Sequence, residues 1–356
     1  MKMDLVKIYK NTSEYLNKQI TVEGWVRNHR KQKEFGFIDF SDGTCFKTLQ
    51  VVYDNKLSNF DDIQKIRVGS AVSVTGTLIE SPKEGQPFEL QVESLELLGD
   101  SPENYPIQPK RHTREFLREQ AYLRPRTNLF QAVFRIRSLA AMAIHEYFQS
   151  NGYVYVHTPL ITCADCEGSD QMFKITTLDF DNIEKDEDGK ADMSKDLFGQ
   201  KAFVTGSGQL HGEAFALAYK KLGILFATVI MIVLFAVSVS AKEVVDSGEC
   251  GPTFRTENSN TKIHANEFWM IEPEIAFCDL NGLMDIEEEM LKYVVNYVLE
   301  RAQDELSFLD SFVEKGLLEK LTKLVNSEFT RITHEEAINI LKIYKKSEQI
   351  IHFALE

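Results

Sequence analysis

Arg27, Arg30, Phe37 and Gln50 are the side-chain types that grip single-stranded nucleic acid. A ring offers a base its flat face, an amide reads a base edge, and cations meet the phosphates. They stand in or beside three short segments, Gly24-Trp25-Val26-Arg27, Phe37-Ile38-Asp39 and Leu49-Gln50-Val51-Val52. Taken alone, Phe37 reads as a sheet core residue; the spacing of all three segments together favours a binding face. A second candidate group lies in Gly251–Phe277, GPTFRTENSNTKIHANEFWMIEPEIAF, where Arg255 and Glu257 by themselves read as a surface pair on a hairpin. Cys163 and Cys166 form one C-x-x-C, but Cys250 and Cys278 are isolated, so no second pair stands at zinc-ligand spacing. They read as ordinary thiols of a reducing compartment.

These residues need elements to position them. Val72, Val74, Gly76 and Leu78 alternate with Ser73, Thr75 and Thr77, and Phe88, Leu90 and Val92 alternate with Glu89, Gln91 and Glu93. Further strands are expected at Ile20–Arg27, Phe35–Phe40 and Thr48–Tyr53. Five short strands predict a small closed barrel, for which an OB-fold is the usual solution. Pro102, Pro106 and Pro109 mark a linker that leads into a basic stretch. Phe130, Val133, Phe134, Ile136, Ala140, Ala143, Ile144 and Tyr147 recur at helical spacing, closed by Asn151-Gly152. A strand follows at Tyr153–His157. Residues 180–196 read as a solvated charged loop, Gly251–Phe277 as two strands around a polar loop, and 284–325 as strongly helical.

The net charge is −14, so no general affinity for nucleic acid follows from composition. RNA would have to be met through local patches. One consists of Arg27, Arg30, Lys31 and Lys33 with His29 among them; the other is Lys110, Arg111, Arg114, Arg118, Arg124 and Arg126. The start, Met1-Lys2-Met3-Asp4, reads as free of a targeting signal.

The segments together resemble the aspartyl and asparaginyl subgroup of the class II aminoacyl-tRNA synthetases, over about 1–220 and 251–340. The resemblance implies an α+β chain. A five-stranded OB-fold anticodon-binding domain (1–105) is joined by a basic linker (106–128) to an incomplete class II catalytic domain (129–356), an antiparallel sheet with helices. In that subgroup the residue matching Phe37 stacks on the central anticodon base and the one matching Gln50 reads its edge; Arg27 and Arg30 complete the tRNA-anticodon set. Phe134–Thr162 resembles motif 1, the homodimer element, ending at Pro159. Gly251–Phe277 resembles motif 2. There the resemblance makes Arg255 the catalytic cation that brings an amino-acid carboxylate to the α-phosphate of ATP. It gives Glu257 and Phe268 the adenine and His264 the outer phosphates, with Lys262 where the subgroup more often has Arg. Glu167, in Glu167-Gly168-Ser169, matches the loop that holds the substrate amino group. In Ser207–Glu213, Gln209 matches an amino-acid-binding residue, and Gly212 stands where aspartyl enzymes carry Lys. With Glu272 as an acidic wall, a neutral amide is the better fit, which favours asparagine over aspartate.

Two departures qualify that expectation. Leu222 to Ala241 is a run of twenty residues without a charge, long enough as a helix to cross a bilayer core of roughly 30 Å. It sits in an apparent insert, 221–250. Either a helix is accommodated against the protein, or the reading frame is a chimera that does not fold fully; a membrane association is disfavoured but left open. After Gly316 there is no glycine, and the family's glycine-rich third motif and its magnesium ligands would lie past the chain end. No metal ligand is therefore expected within the chain, and catalysis is expected to be poor or absent. The resemblance implies ATP-dependent ligation of asparagine to its tRNA, with ATP and magnesium, by a cytoplasmic homodimer. A non-catalytic tRNA-binding paralogue or fragment and an aspartate-specific ligase stand as alternatives.

Overall fold

The computed structural model describes residues 2–82, 86–164, 172–219, 221–224, 252–256 and 266–343. Five strands, β1 (Gln19–Lys31), β2 (Phe35–Ser41), β3 (Leu49–Asp54), β4 (Ala71–Glu80) and β5 (Phe88–Gly99), close a barrel in the order β1-β2-β3-β5-β4. The β3–β5 pairing is parallel and the rest antiparallel. On β4 the alternation read from the sequence is the burial pattern observed: Val72, Val74 and Leu78 face the interior with Val22, Val26, Ile38, Phe40, Val51 and Leu90, whereas on β5 Glu89 is buried along with Phe88 and Leu90. The Leu5–Lys10 helix adds Leu5 and Ile8 to the same core. Gly36 is required by close approach, since a Cβ there would lie 2.2 Å from the Tyr53 hydroxyl.

The expected linker is folded. A short helix, Arg114–Glu119, is capped by Thr113, whose hydroxyl accepts from the Phe116 N–H at 3.2 Å. Ile107, Leu117, Leu123 and Phe130 bury together as a small satellite core.

The second half is built on the Asn128–Ser150 helix, whose apolar stripe packs on the Leu280–Arg301 helix. Ile136, Ala140, Ala143, Ile144 and Tyr147 meet Met290, Val294, Val295 and Val298 in one buried cluster. The helical stretch expected over 284–325 is three helices, Leu280–Arg301, Gln303–Phe312 and Leu317–Asn326. Ala302 leaves helical geometry at φ −118°, and Gly316 adopts φ +87°, a left-handed conformation that glycine takes without a Cβ clash.

Beside these helices lie β6 (Val154–Tyr155), β10 (Lys221–Ile224) and β13 (Glu272–Ile275), in the order β13-β10-β6. The β6–β10 pair is parallel and β10–β13 antiparallel. β7 (Ile161–Thr162), β8 (Lys174–Ile175) and β9 (Ala202–Val204) form a second small sheet, and β11 (Pro252–Phe254) pairs with β12 (Glu267–Trp269). The strand expected at Tyr153–His157 is reduced to two residues, and the described residues of Gly251–Phe277 form three strands where two were expected. Lys221–Ile224 was read as the start of the insert. It is instead the central strand of the β13-β10-β6 sheet, because Leu222-Gly223-Ile224 suits a strand as well as the start of an apolar span. The rest of 222–241 lies outside the described residues; among those described, no helix is long and apolar enough to cross a membrane.

Candidate functional site

On the outer barrel face, strand register brings Arg30, Phe37, Gln50, Asp39 and Glu89 together. Arg30 pairs with Phe37 on β2, Asp39 with Gln50 on β3, and Gln50 with Glu89 on β5. Phe37 is half-buried on this face while Ile38 and Phe40 fill the core, so it is not a core residue. The Arg30 guanidinium lies 5.1 Å from the Phe37 ring centre, donates to Gln50 Oε1 at 3.0 Å and stands 3.5 Å from Asp39. Gln50 Nε2 donates to Glu89 Oε2 at 3.1 Å. An amide has a second N–H and a second lone pair beyond these bonds, so a pre-oriented Gln50 can still read a base edge. Asp39 and Glu89 were not singled out from the sequence. Pairing the predicted strands in register would have found them.

Arg27 does not join this group. Pairing passes from Val26↔Phe40 to Asn28↔Asp39, leaving Arg27 as the extra residue of a bulge, and a bulge re-aims a side chain. Arg27 instead lines a cleft of about 1160 Å³ between the barrel, the basic stretch and the second half, with Trp25, Tyr105, Lys110, Arg111 and Arg126. Burial, with the like charge of Arg126, lowers the Arg27 pKa; the guanidinium nevertheless stays a cation. Arg126 donates to the Tyr105 hydroxyl at 3.3 Å. Two members of the expected basic patches are otherwise employed. Arg124 is buried with its guanidinium 4.9 Å from the Phe130 ring centre. His29 bonds Ile66 O through Nδ1 at 3.0 Å and the Tyr53 hydroxyl through Nε2 at 2.7 Å. A carbonyl can only accept, so Nδ1 carries the proton and Nε2 accepts from Tyr53. Burial lowers the His29 pKa and raises that of Tyr53 to about 12.

In the second half, the β11–β12 hairpin sets Thr253 opposite Phe268 and carries Arg255 just past its strand. The Arg255 backbone N–H donates to Asn266 O at 3.0 Å, and Asn266 Nδ2 returns a bond to Arg255 O at 2.9 Å. Beside this pair of hydrogen bonds the guanidinium lies 5.6 Å from the Phe268 ring centre. The hairpin is pinned to the Thr205–Gln209 turn, where Phe254 N–H donates to Thr205 O at 3.2 Å. That turn holds Glu272 on β13. Ser207 Oγ donates to Glu272 Oε1 at 2.8 Å, and the Gly208 N–H donates to Oε2 at 3.3 Å. Gln209 opens the Gln209–Tyr219 helix, its amide donating to Glu213 Oε1 at 3.1 Å, and Gly212 is buried in that helix. Burial, then Glu213 and Glu272, raise the Glu274 pKa. The structure thus brings Gln209 and Glu272 to one turn and Arg255 and Phe268 to one hairpin. Glu167, Glu257, Lys262 and His264 lie outside the described residues. Ser207 and Thr205 were missed as individuals; their spacing, two hydroxyls around glycines before a helix, is the signal of a self-bonded turn.

The 180–196 loop is exposed as expected except at its end. Asp196 is buried, and bonds from the Thr177 N–H at 2.8 Å, with Thr176, hold its pKa down to about 2.

Residues 20–98 match the family described as OB-fold nucleic acid binding domain. Residues 113–211 and 241–354 match the class II tRNA synthetases (D, K and N). The break lies around the apolar run, and the match continues to residue 354, past the 340 to which the resemblance extends. The chain is 53% identical over 342 residues to the asparagine–tRNA ligase of Acholeplasma laidlawii, and 48% identical over 341 residues to that of Clostridium tetani. Each alignment covers 96% of this chain and 68% of the relative, so the chain spans about two thirds of their length. The asparaginyl-tRNA synthetase of Pyrococcus horikoshii, complexed with asparaginyl-adenylate, superposes with a TM-score of 0.72 at 25% identity. That superposition covers 94% of this chain and 66% of the other. An Entamoeba histolytica asparaginyl-tRNA synthetase shares the fold with a TM-score of 0.72 at 18% identity, over 98% of this chain and 68% of that one.

Proposed function

The chain belongs to the asparagine–tRNA ligase family of class II tRNA synthetases, and from that premise we propose that it joins asparagine to its tRNA through an asparaginyl-adenylate. A carboxylate oxygen of asparagine attacks the α-phosphorus of ATP and pyrophosphate leaves. The tRNA 3′ hydroxyl then attacks the carbonyl carbon and AMP leaves. The observation that carries this reading is the Thr205–Gln209 turn, which ties the Arg255 hairpin to the carboxylate of Glu272. In our reading Arg255 brings the two anions together, Phe268 stacks on adenine, and Gln209 and Glu272 meet the amino acid. Glu257, His264 and Glu167 are assigned to adenine, the outer phosphates and the amino group by family position. Magnesium, when bound, would supply charge to the phosphates; among the described residues no group of three His, Cys, Asp or Glu side chains has an arrangement that could hold it.

Arg30, Phe37 and Gln50 are proposed to read the anticodon, while Arg27, Lys110, Arg111 and Arg126 meet phosphates across the cleft. The outward side of the Asn128–Ser150 helix, where Met142 is 57% exposed, is our candidate for a homodimer contact, and the cytoplasm is the setting this chemistry suits. The test is titration calorimetry with a non-hydrolysable asparaginyl-adenylate analogue. Arg255→Ala is expected to weaken binding about ten- to a hundredfold, the worth of bonds between charged groups. Unchanged affinity in that variant would remove Arg255 from the site.

A further inference from the structure

We infer that Ser207 is a positioning residue for amino-acid selection: its hydroxyl, with the Gly208 amide, fixes Glu272 as an ionised acceptor facing the substrate side chain. This use of Glu272 rests on the ligase reading above.

The geometry is directional. A serine hydroxyl has one proton and two lone pairs. Ser207 Oγ accepts from the Gln209 N–H at 3.1 Å, so its proton is left for Glu272 Oε1 at 2.8 Å. Each Glu272 oxygen therefore receives a donor from the same turn, the second being the Gly208 N–H at 3.3 Å. The turn itself cannot easily yield. Thr205 Oγ1 donates to Ser207 O at 2.6 Å and accepts from Ser207 N–H at 3.3 Å, and the Thr205 N–H donates to Leu160 O at 2.8 Å. Ser207 is 3% exposed and Thr205 4%, so water does not compete for these bonds.

The surroundings explain why donors are needed. Burial, then the charges of Glu213 on the Gln209–Tyr219 helix and of Glu272, raise the pKa of Glu274 on β13, so Glu272 belongs to a group of interacting carboxylates. Three carboxylates near one another favour a shared proton. A protonated Glu272 would present a donor to the substrate and lose its preference for an amide N–H₂. Two hydrogen bonds to the ionised form oppose that protonation. The same fixed negative charge repels an aspartate side chain, so one hydroxyl serves both acceptance of the amide and rejection of the acid.

The experiment uses the 356-residue chain labelled with carboxyl-¹³C glutamate, the Glu272 signal identified by its loss in Glu272→Gln. Ser207→Ala is expected to raise the Glu272 titration midpoint by about one unit and weaken an asparaginyl-adenylate analogue about tenfold. Ser207→Thr, which keeps the hydroxyl, is expected to return both towards the parent values. An unchanged midpoint in Ser207→Ala overturns the inference. So does a raised midpoint with undiminished preference for the asparaginyl over the aspartyl analogue. If the parent chain binds neither analogue, the substrate reading fails, and the titration of the unliganded protein still decides what the hydroxyl does to Glu272.

Discussion

The Gln50 amide is held at both ends, by Arg30 and by Glu89, before any base arrives. Orientation settled in advance reduces the entropy lost on recognition. Gln50→Ala is therefore expected to relax preference at the central anticodon base while leaving general RNA affinity nearly intact. Phe37→Ala should weaken every stem-loop by about 1–3 kcal/mol, as loss of a stacking ring does. Arg27→Ala should weaken all sequences alike and lower the salt slope by about one. Competition binding with variant anticodon stem-loops at several salt concentrations separates these outcomes; base-specific loss in Arg27→Ala would contradict its placement in the cleft. At the amino-acid site, Gly212→Lys is expected to raise aspartyl-adenylate analogue binding relative to asparaginyl, as read from the ratio of dissociation constants. An unmoved ratio would end the argument from Gly212. Phe37 and Gln50 were legible from side-chain type and strand spacing. That Arg27 leaves the face of Arg30, Phe37 and Gln50 was not legible, because an alternation pattern cannot register the single extra residue of a bulge.

Elements explain what the residues alone do not. The β1–β3 wall of the barrel is braced by His29, whose neutral ring donates to Ile66 O and accepts from Tyr53. Burial disfavours the charged imidazolium, with the like charge of Lys31 adding to it, and the folded pKa is lowered. The unfolded chain then binds the extra proton more readily. Stability from this group is complete above the unfolded value of about 6.5 and falls as pH drops below it towards the folded value. Thermal unfolding followed at Trp25 should show this decline, and His29→Gln should flatten it; a decline of the same size in the variant would assign the effect elsewhere. The barrel was readable because period-two alternation is strong where one face is buried. β10 was hidden because Leu222-Gly223-Ile224 suits a central strand and the start of an apolar span equally, and only pairing with Val154–Tyr155 and Glu272–Ile275 distinguishes them. The break at Ala302 had no sequence signal, since alanine is a strong helix former.

At the scale of the whole molecule, the turn between β2 and β3 rests on the second half. Phe46 lies with its ring centre 5.4 Å from that of Phe308, Lys47 pairs with Asp304 at 3.1 Å, and Arg135 donates to Gly43 O while facing Glu305. The turn joins the strands of Phe37 and Gln50, so the proposed anticodon face and the helices of the second half share a contact. Lys47 and Asp304 are both about half exposed, and a double-mutant cycle on thermal stability should give a coupling of about 0.2–1 kcal/mol that disappears at high salt. Zero coupling at low salt would reduce the contact to Phe46 and Arg135. Whether both halves serve the proposed ligation of asparagine is tested by comparing two ligands on the unaltered chain. Titration calorimetry with asparaginyl- and aspartyl-adenylate analogues that differ only in the side-chain amide measures the choice itself. The asparaginyl analogue is expected to bind tighter by about tenfold or more. Equal affinity, or preference for the aspartyl analogue, would contradict it.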